Sequence, residues 1–123
     1  LMNQHMERTE QMMQSMNRLR ERANKLSKDF GRRTEQSRVQ YREERRFMQQ
    51  MSKSVGAMTG EMKMSMERLQ KMMQSRNMTG DAQMEQEMLQ LNEHFRSMGE
   101  SVENTLTIME RINNRIGQME SAQ

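Results

Sequence analysis

A chain of 123 residues with 20 Lys and Arg against 17 Asp and Glu carries a formal net charge of +3 and fits a single domain. With no Cys it excludes disulfides and thiolate metal sites, and so mild a charge does not point to nucleic acid, although a pI of 9.7 allows an acidic partner. There is also no Pro and no Trp, while 19 residues are Met.

Glu, Gln, Arg, Met and Lys dominate, and their straight side chains lose little rotamer freedom in a helix. Strand formers are scarce: Val39, Val55 and Val102, with Ile108, Ile112 and Ile116. The expected class is therefore all-α. So little apolar material suits a narrow coiled-coil seam, which needs two apolar residues in seven. No apolar run reaches the length of a membrane span, and no cleavable signal is visible. The chain begins at Leu1 rather than Met, so something is expected to precede it, either a removed signal peptide or only an arbitrary boundary.

In chain order, Met2, His5, Thr9, Met12, Met16, Leu19, Ala23, Leu26 and Phe30 step by threes and fours, predicting a first helix over about 2–30 stopped by Gly31. A second helix over about 33–78 follows. Its seam runs through Met48, Met51, Val55, Met58, Met62, Ser65 or Met66, Leu69 and Met72. The spacing survives across Gly56 and Gly60, each costing the helix roughly 1 kcal/mol against Ala. A break there, giving a four-helix bundle, is the alternative. The stretch Arg32 to Arg46 holds six Arg and three Glu with only Val39 and Tyr41 to bury, and reads as a solvated end with internal ion pairs rather than a phosphate-binding surface.

Thr79 and Gly80 end that helix, and Asp81 is the expected N-cap of a third over about 81–119. Its seam is Met84, Met88, Leu91, Phe95, Met98, Val102, Thr105, Met109, Ile112, Ile116 and Met119. The simplest assembly is an antiparallel three-helix bundle or coiled coil with a long middle helix. Turns at Gly31 and Gly80 would then align Met12 with Met51 and Met109, and Met2 with Met62 and Met98. Residues 6–17 and 66–77 share eight of twelve positions, and duplication of a hairpin would also give four helices.

Two readings of the methionines follow. Met is unbranched and polarizable, and fills a seam that can repack against several partners. Thioethers also suit the soft ions Cu(I) and Ag(I), and pairs three or four apart share a helix face: Met12 with Met16, Met48 with Met51, Met62 with Met66, Met84 with Met88. His5 lies three after Met2, and His94 four before Met98. Met13, Met64, Met73 and Met78 fall off the seams, which fits either metal capture or a surface that grips other proteins.

Met2-x-x-His5, the Met12-Met13-x-x-Met16 cluster and Met48-x-x-Met51 resemble the short Met/His motifs of bacterial periplasmic proteins that bind copper and silver. The resemblance implies Cu(I) or Ag(I) as the ion and a periplasmic or secreted location. The candidate ligands are Met2, His5, Met12, Met16, Met48, Met51, Met62, Met98 and Met109. The resemblance covers short motifs and composition.

Nothing points to catalysis: His5 and His94 are far apart, Ser residues have no His partner, and the position three before His94 is Leu91 rather than Glu, so a di-iron carboxylate bundle fails on spacing. The leading expectation is a non-enzymatic helical protein that self-associates or binds partner helices. The others are soft-metal binding and a holdase chaperone with a Met surface.

Overall fold

The computed structural model describes residues 2–122, and these are helical almost throughout. Three long helices, α1 (Met2–Gln36), α2 (Val39–Gln74) and α4 (Ala82–Ser121), are joined by a two-residue reversal and by the four-residue α3 (Arg76–Thr79). No strand occurs among the described residues. Among the described residues no helix is long and apolar enough to cross a membrane.

The first turn is not at Gly31. Helix α1 continues to Gln36, because hydroxyls close its last turns: Thr34 Oγ1 donates to the Phe30 carbonyl (2.7 Å) and Ser37 Oγ to that of Arg33 (2.7 Å). Arg42 Nε then donates to the freed Ser37 carbonyl at 3.0 Å, capping α1 from the start of α2. Gly31 instead faces Gln49, whose side chain occupies the space a Cβ would need. The alternative of a break near Gly56 and Gly60 is not taken: α2 runs unbroken across both, as its spacing predicts. Ser75 adopts an extended backbone and separates α2 from α3. Asp81 is an N-cap as expected, its carboxylate accepting from the Gln83 amide at 3.0 Å.

The delayed reversal resets the register. On α1 and α2, Gly56 faces Ala23 and Asn24, and Gly60 faces Arg20. At 1.5 Å per residue, α1 is slid about 25 Å along α2 from where a turn at Gly31 would leave it. Helices α1 and α4 run parallel, with Thr9 against Asn92 and Asp29 against Asn113, 83 and 84 positions apart. Helix α4 runs antiparallel to α2, so Met73 meets Met88 in one cluster and Arg45 meets Asn113 and Glu120.

The core is in two parts. Met13, Met16, Leu19, Ala23, Leu26, Phe30, Met48, Met62, Met66, Val102, Leu106 and Met109 form the larger, and Leu69, Met73 and Met88 the smaller. The segment expected as a solvated arginine surface is divided. Arg32 and Arg33 end α1, whereas Arg45 on α2 is only 3% exposed in its ion pair with Glu120. Val39, expected to be buried, is 77% exposed.

Candidate functional site

The buried positions of α2 include Met48, Ser52, Gly56, Thr59, Met62, Met66, Leu69 and Met73. Those of α4 are Met88, Asn92, Gly99, Val102, Leu106, Met109, Asn113 and Ile116. Four of the eight expected seam positions of α2 and four of the eleven of α4 are therefore displaced by one residue. Ser52, Gly56, Thr59 and Met73 point inward in place of Met51, Val55, Met58 and Met72. Asn92, Gly99, Leu106 and Asn113 do so in place of Leu91, Met98, Thr105 and Ile112. Small and hydrogen-bonding residues sit inside because α1 needs them there. Thr9 Oγ1 lies 2.9 Å from the Asn92 amide, and Asn113 Nδ2 donates to Asp29 at 2.6 Å. Gly99 leaves room for the end of Met16. Ser52 and Thr59 return their hydroxyls to the Met48 and Gly56 carbonyls (2.8 and 2.6 Å), so no polar group is left unpaired by the exchange.

Of the displaced apolar residues, Val55 stays half-buried against the core and the others face out. Every exposed large hydrophobic among the described residues lies on α2 or α4 and none on α1. Phe47, Met51, Met58 and Met72 on α2, with Leu91, Met98, Ile108, Ile112 and Met119 on α4, occupy the flank where these two helices adjoin, away from α1. Met51, Met58 and Met72, and Leu91, Met98, Ile112 and Met119, recur at multiples of seven with Phe47 and Ile108 one turn beside them, and the antiparallel register sets Met51 level with Ile112 and Met72 with Leu91 to within a turn. Exposures of 38–52% over these nine residues correspond to roughly 700 Å² of apolar surface spread along the two helices, on the order of the 300–600 Å² of the largest apolar patch on a typical monomer. Around Leu91, Met98 and Ile108 the flank offers Gln90, His94, Ser97, Ser101, Asn104 and Thr105, with no charge.

The expected metal ligands do not assemble as layers. Met12 is half-buried and borders, with Met16, Met66 and Phe95, a cleft of about 360 Å³ between α1 and α4. Met51 and Met109, its expected partners, lie some 20–25 Å along the bundle at 1.5 Å per residue, and Met51 faces outward, 48% exposed. Met2 joins the smaller core cluster, Met62 lies in the larger, and Met98 is 45% exposed. His5 borders a different cleft, beside Arg8, Met12 and Asn92. Met48 is buried in the larger cluster, remote from Met2.

What the register does gather is another set of sulfurs. Met2 and Met6 from α1, Met73 from α2, Met78 from α3, and Met84 and Met88 from α4 pack into one cluster with Leu69 and Phe95. Met73 and Met88 are buried; the other four are half-exposed. The pair Met84 and Met88 was visible from its spacing of four, but Met6, Met73 and Met78 become neighbours only once α1 extends to Gln36. Among the described residues, no three His, Cys, Asp or Glu side chains group to hold an ion, so a metal here would rest on thioethers alone.

In comparisons with known proteins, no family model matches the chain, and no curated protein or solved structure shows significant similarity to it.

Proposed function

We propose that this antiparallel three-helix bundle is a non-enzymatic interaction module that engages other helices through the α2–α4 flank. The observation that carries the reading is the segregation of exposed apolar side chains: two of the three long helices hold all of them, and all but Val39 and Met64 lie on the adjoining faces. Scattered exposure on a monomer would touch α1 equally. A stripe repeating every seven residues suits the ridge of a further helix, and Met adapts to more than one such ridge. The test is solution size together with titration of a fluorescent amphipathic helical peptide. Association at micromolar concentration, or saturable peptide binding lost in Met58→Glu, is expected. A chain that stays single and ignores the peptide overturns the reading.

The six-sulfur cluster supports a second reading, capture of Cu(I) or Ag(I). Neutral thioethers match soft monovalent ions, and four half-exposed sulfurs give an ion a way in. The larger cluster mixes six Met with Leu19, Ala23, Leu26, Phe30, Val102 and Leu106, whereas the smaller one holds six Met with only Leu69 and Phe95 beside them. Anaerobic Cu(I) titration against a chromogenic chelator is expected to show tight binding. Met73→Leu with Met88→Leu, a swap that conserves volume, should lower affinity at least tenfold, since losing even an outer-shell partner costs about 10–100-fold. Equal affinity in the double variant removes this reading.

A further inference from the structure

Resting on the interaction reading above, we infer that the occupant of the α2–α4 flank is a second copy of this chain, related by a two-fold axis parallel to the helices. Three observations fix the choice. The first is area: the flank offers roughly 700 Å² of apolar surface before its polar rim is counted, close to the roughly 800 Å² each partner buries in a standard interface.

The second is register. Because α2 and α4 are antiparallel, rotation about an axis along the bundle lays α2 of one copy on α4 of the other while keeping heights unchanged. Met51 then meets Ile112 of the partner subunit, and Met58 meets the partner's Thr105 and Ile108. The same patch serves both copies, as an isologous dimer requires. The two contributing helices from each copy form a four-helix antiparallel layer, so the stripes at steps of seven gain the facing ridges that they lack in one chain.

The third is charge. The flank positions are uncharged from Gln90 to Ile108 on α4, and on α2 Phe47, Met51, Ser54 and Met58 are likewise neutral, with Glu61 the first charge one turn beyond Met58. At one end, exposed Glu44 of α2 stands about one turn from the height of Arg115 of α4. The two-fold therefore sets acid over base at this rim, twice per dimer, where a polar edge belongs. With a net charge of only +3, the copies do not repel strongly.

The chain has no Cys, which makes the geometry directly testable. Met51→Cys protein mixed with Ile112→Cys protein should give the mixed disulfide between copies in preference to either symmetric one. Sedimentation equilibrium of the unmodified chain should show a dimer at micromolar concentration. Met58→Glu or Ile108→Glu should weaken it about thirtyfold or more, the scale of a central interface residue, with far-UV circular dichroism unchanged. A single copy at every concentration, a dimer indifferent to both glutamates, or symmetric disulfides in place of the mixed one overturns the proposal. If the single-copy chain still binds the helical peptide through Met58, only the second-copy proposal falls; if it binds nothing, the interaction reading falls with it.

Discussion

Arg45 lies at the junction of all three long helices. Its guanidinium, 3% exposed, pairs with Glu120 and donates to Asn113 Oδ1 at 3.2 Å. Asn113 passes the network to Asp29 on α1, which Arg32 and Arg33 also hold at 2.6 and 3.2 Å. A buried charge with its partner removed is costly, whereas the whole pair can often be replaced by apolar groups at little cost. Arg45→Ala is therefore expected to cost about 3–5 kcal/mol in urea unfolding, while Arg45→Met combined with Glu120→Leu should recover most of that loss. Additive losses in the double variant would show that the pair is worth more than its burial costs. The same network predicts acid sensitivity. Burial pushes the Glu120 carboxyl up, but hydrogen bonds from Arg45, the Arg38 amide and Ser37, with the charge of Arg45, prevail and hold it below the ordinary value. For Asp29, burial likewise opposes and Asn113, Arg32 and Arg33 prevail. A carboxyl lowered by folding contributes in full above the ordinary range near pH 4 and loses that contribution as pH falls through its folded value. Glu120→Gln should flatten this decline.

At the scale of the helix, the two glycines of α2 make different demands. A Cβ at Gly56 would come within 3.1 Å of Asn24 Oδ1 and 3.5 Å of Ala23 Cβ, so α1 approaches closely there. At Gly60 the nearest atoms belong to the Arg20 guanidinium at 3.7 Å or more, ordinary contact. Gly60→Ala should therefore stabilise the chain by about 0.5–1 kcal/mol through helix propensity and a less free unfolded state, measured as a higher urea midpoint at constant slope. A loss instead would mean that α1 needs the gap. The helices themselves, the Asp81 cap, most of the α1 seam and about half of those of α2 and α4 could be read from spacing: Met48, Met62, Leu69, Val102, Met109 and Ile116 point inward as expected. The other half could not, because Met51 beside Ser52, or Leu91 beside Asn92, gives hydrophobicity no reason to choose the polar neighbour. Only the requirement of α1 for hydrogen bonds and close approach does. Gly31 misled for a related reason. Glycine permits a turn without compelling one, and the hydroxyls of Thr34 and Ser37 decided where α1 ends. That one displacement carried the metal layers away with it, and brought Met6, Met73 and Met78 together unannounced.

For the molecule as a whole, methionine reports its own environment. Thioethers oxidise to sulfoxide according to exposure, and the chain holds a graded series, from Met66 and Met73 at 0% and 1% to Met51, Met58, Met64 and Met98 at 43–48%. Met64 is the internal reference, because it stands two residues from both Met62 and Met66, a half-turn away from the core and outside the α2–α4 flank. In a single copy, the exposed four should react with peroxide at similar rates. In the paired state Met51, Met58 and Met98 are covered and only Met64 remains open. Peptide mass spectrometry across a dilution series should therefore show Met64 oxidising fastest at high protein concentration, with the other three catching up on dilution. Equal rates at all concentrations would show an open flank. The reaction also acts back on assembly: a sulfoxide on Met58 places a strong dipole at the centre of a neutral apolar face, where burial without a partner is unfavourable. Oxidised chain should accordingly sediment as a single copy while its helix content, which rests on the buried sulfurs, stays intact.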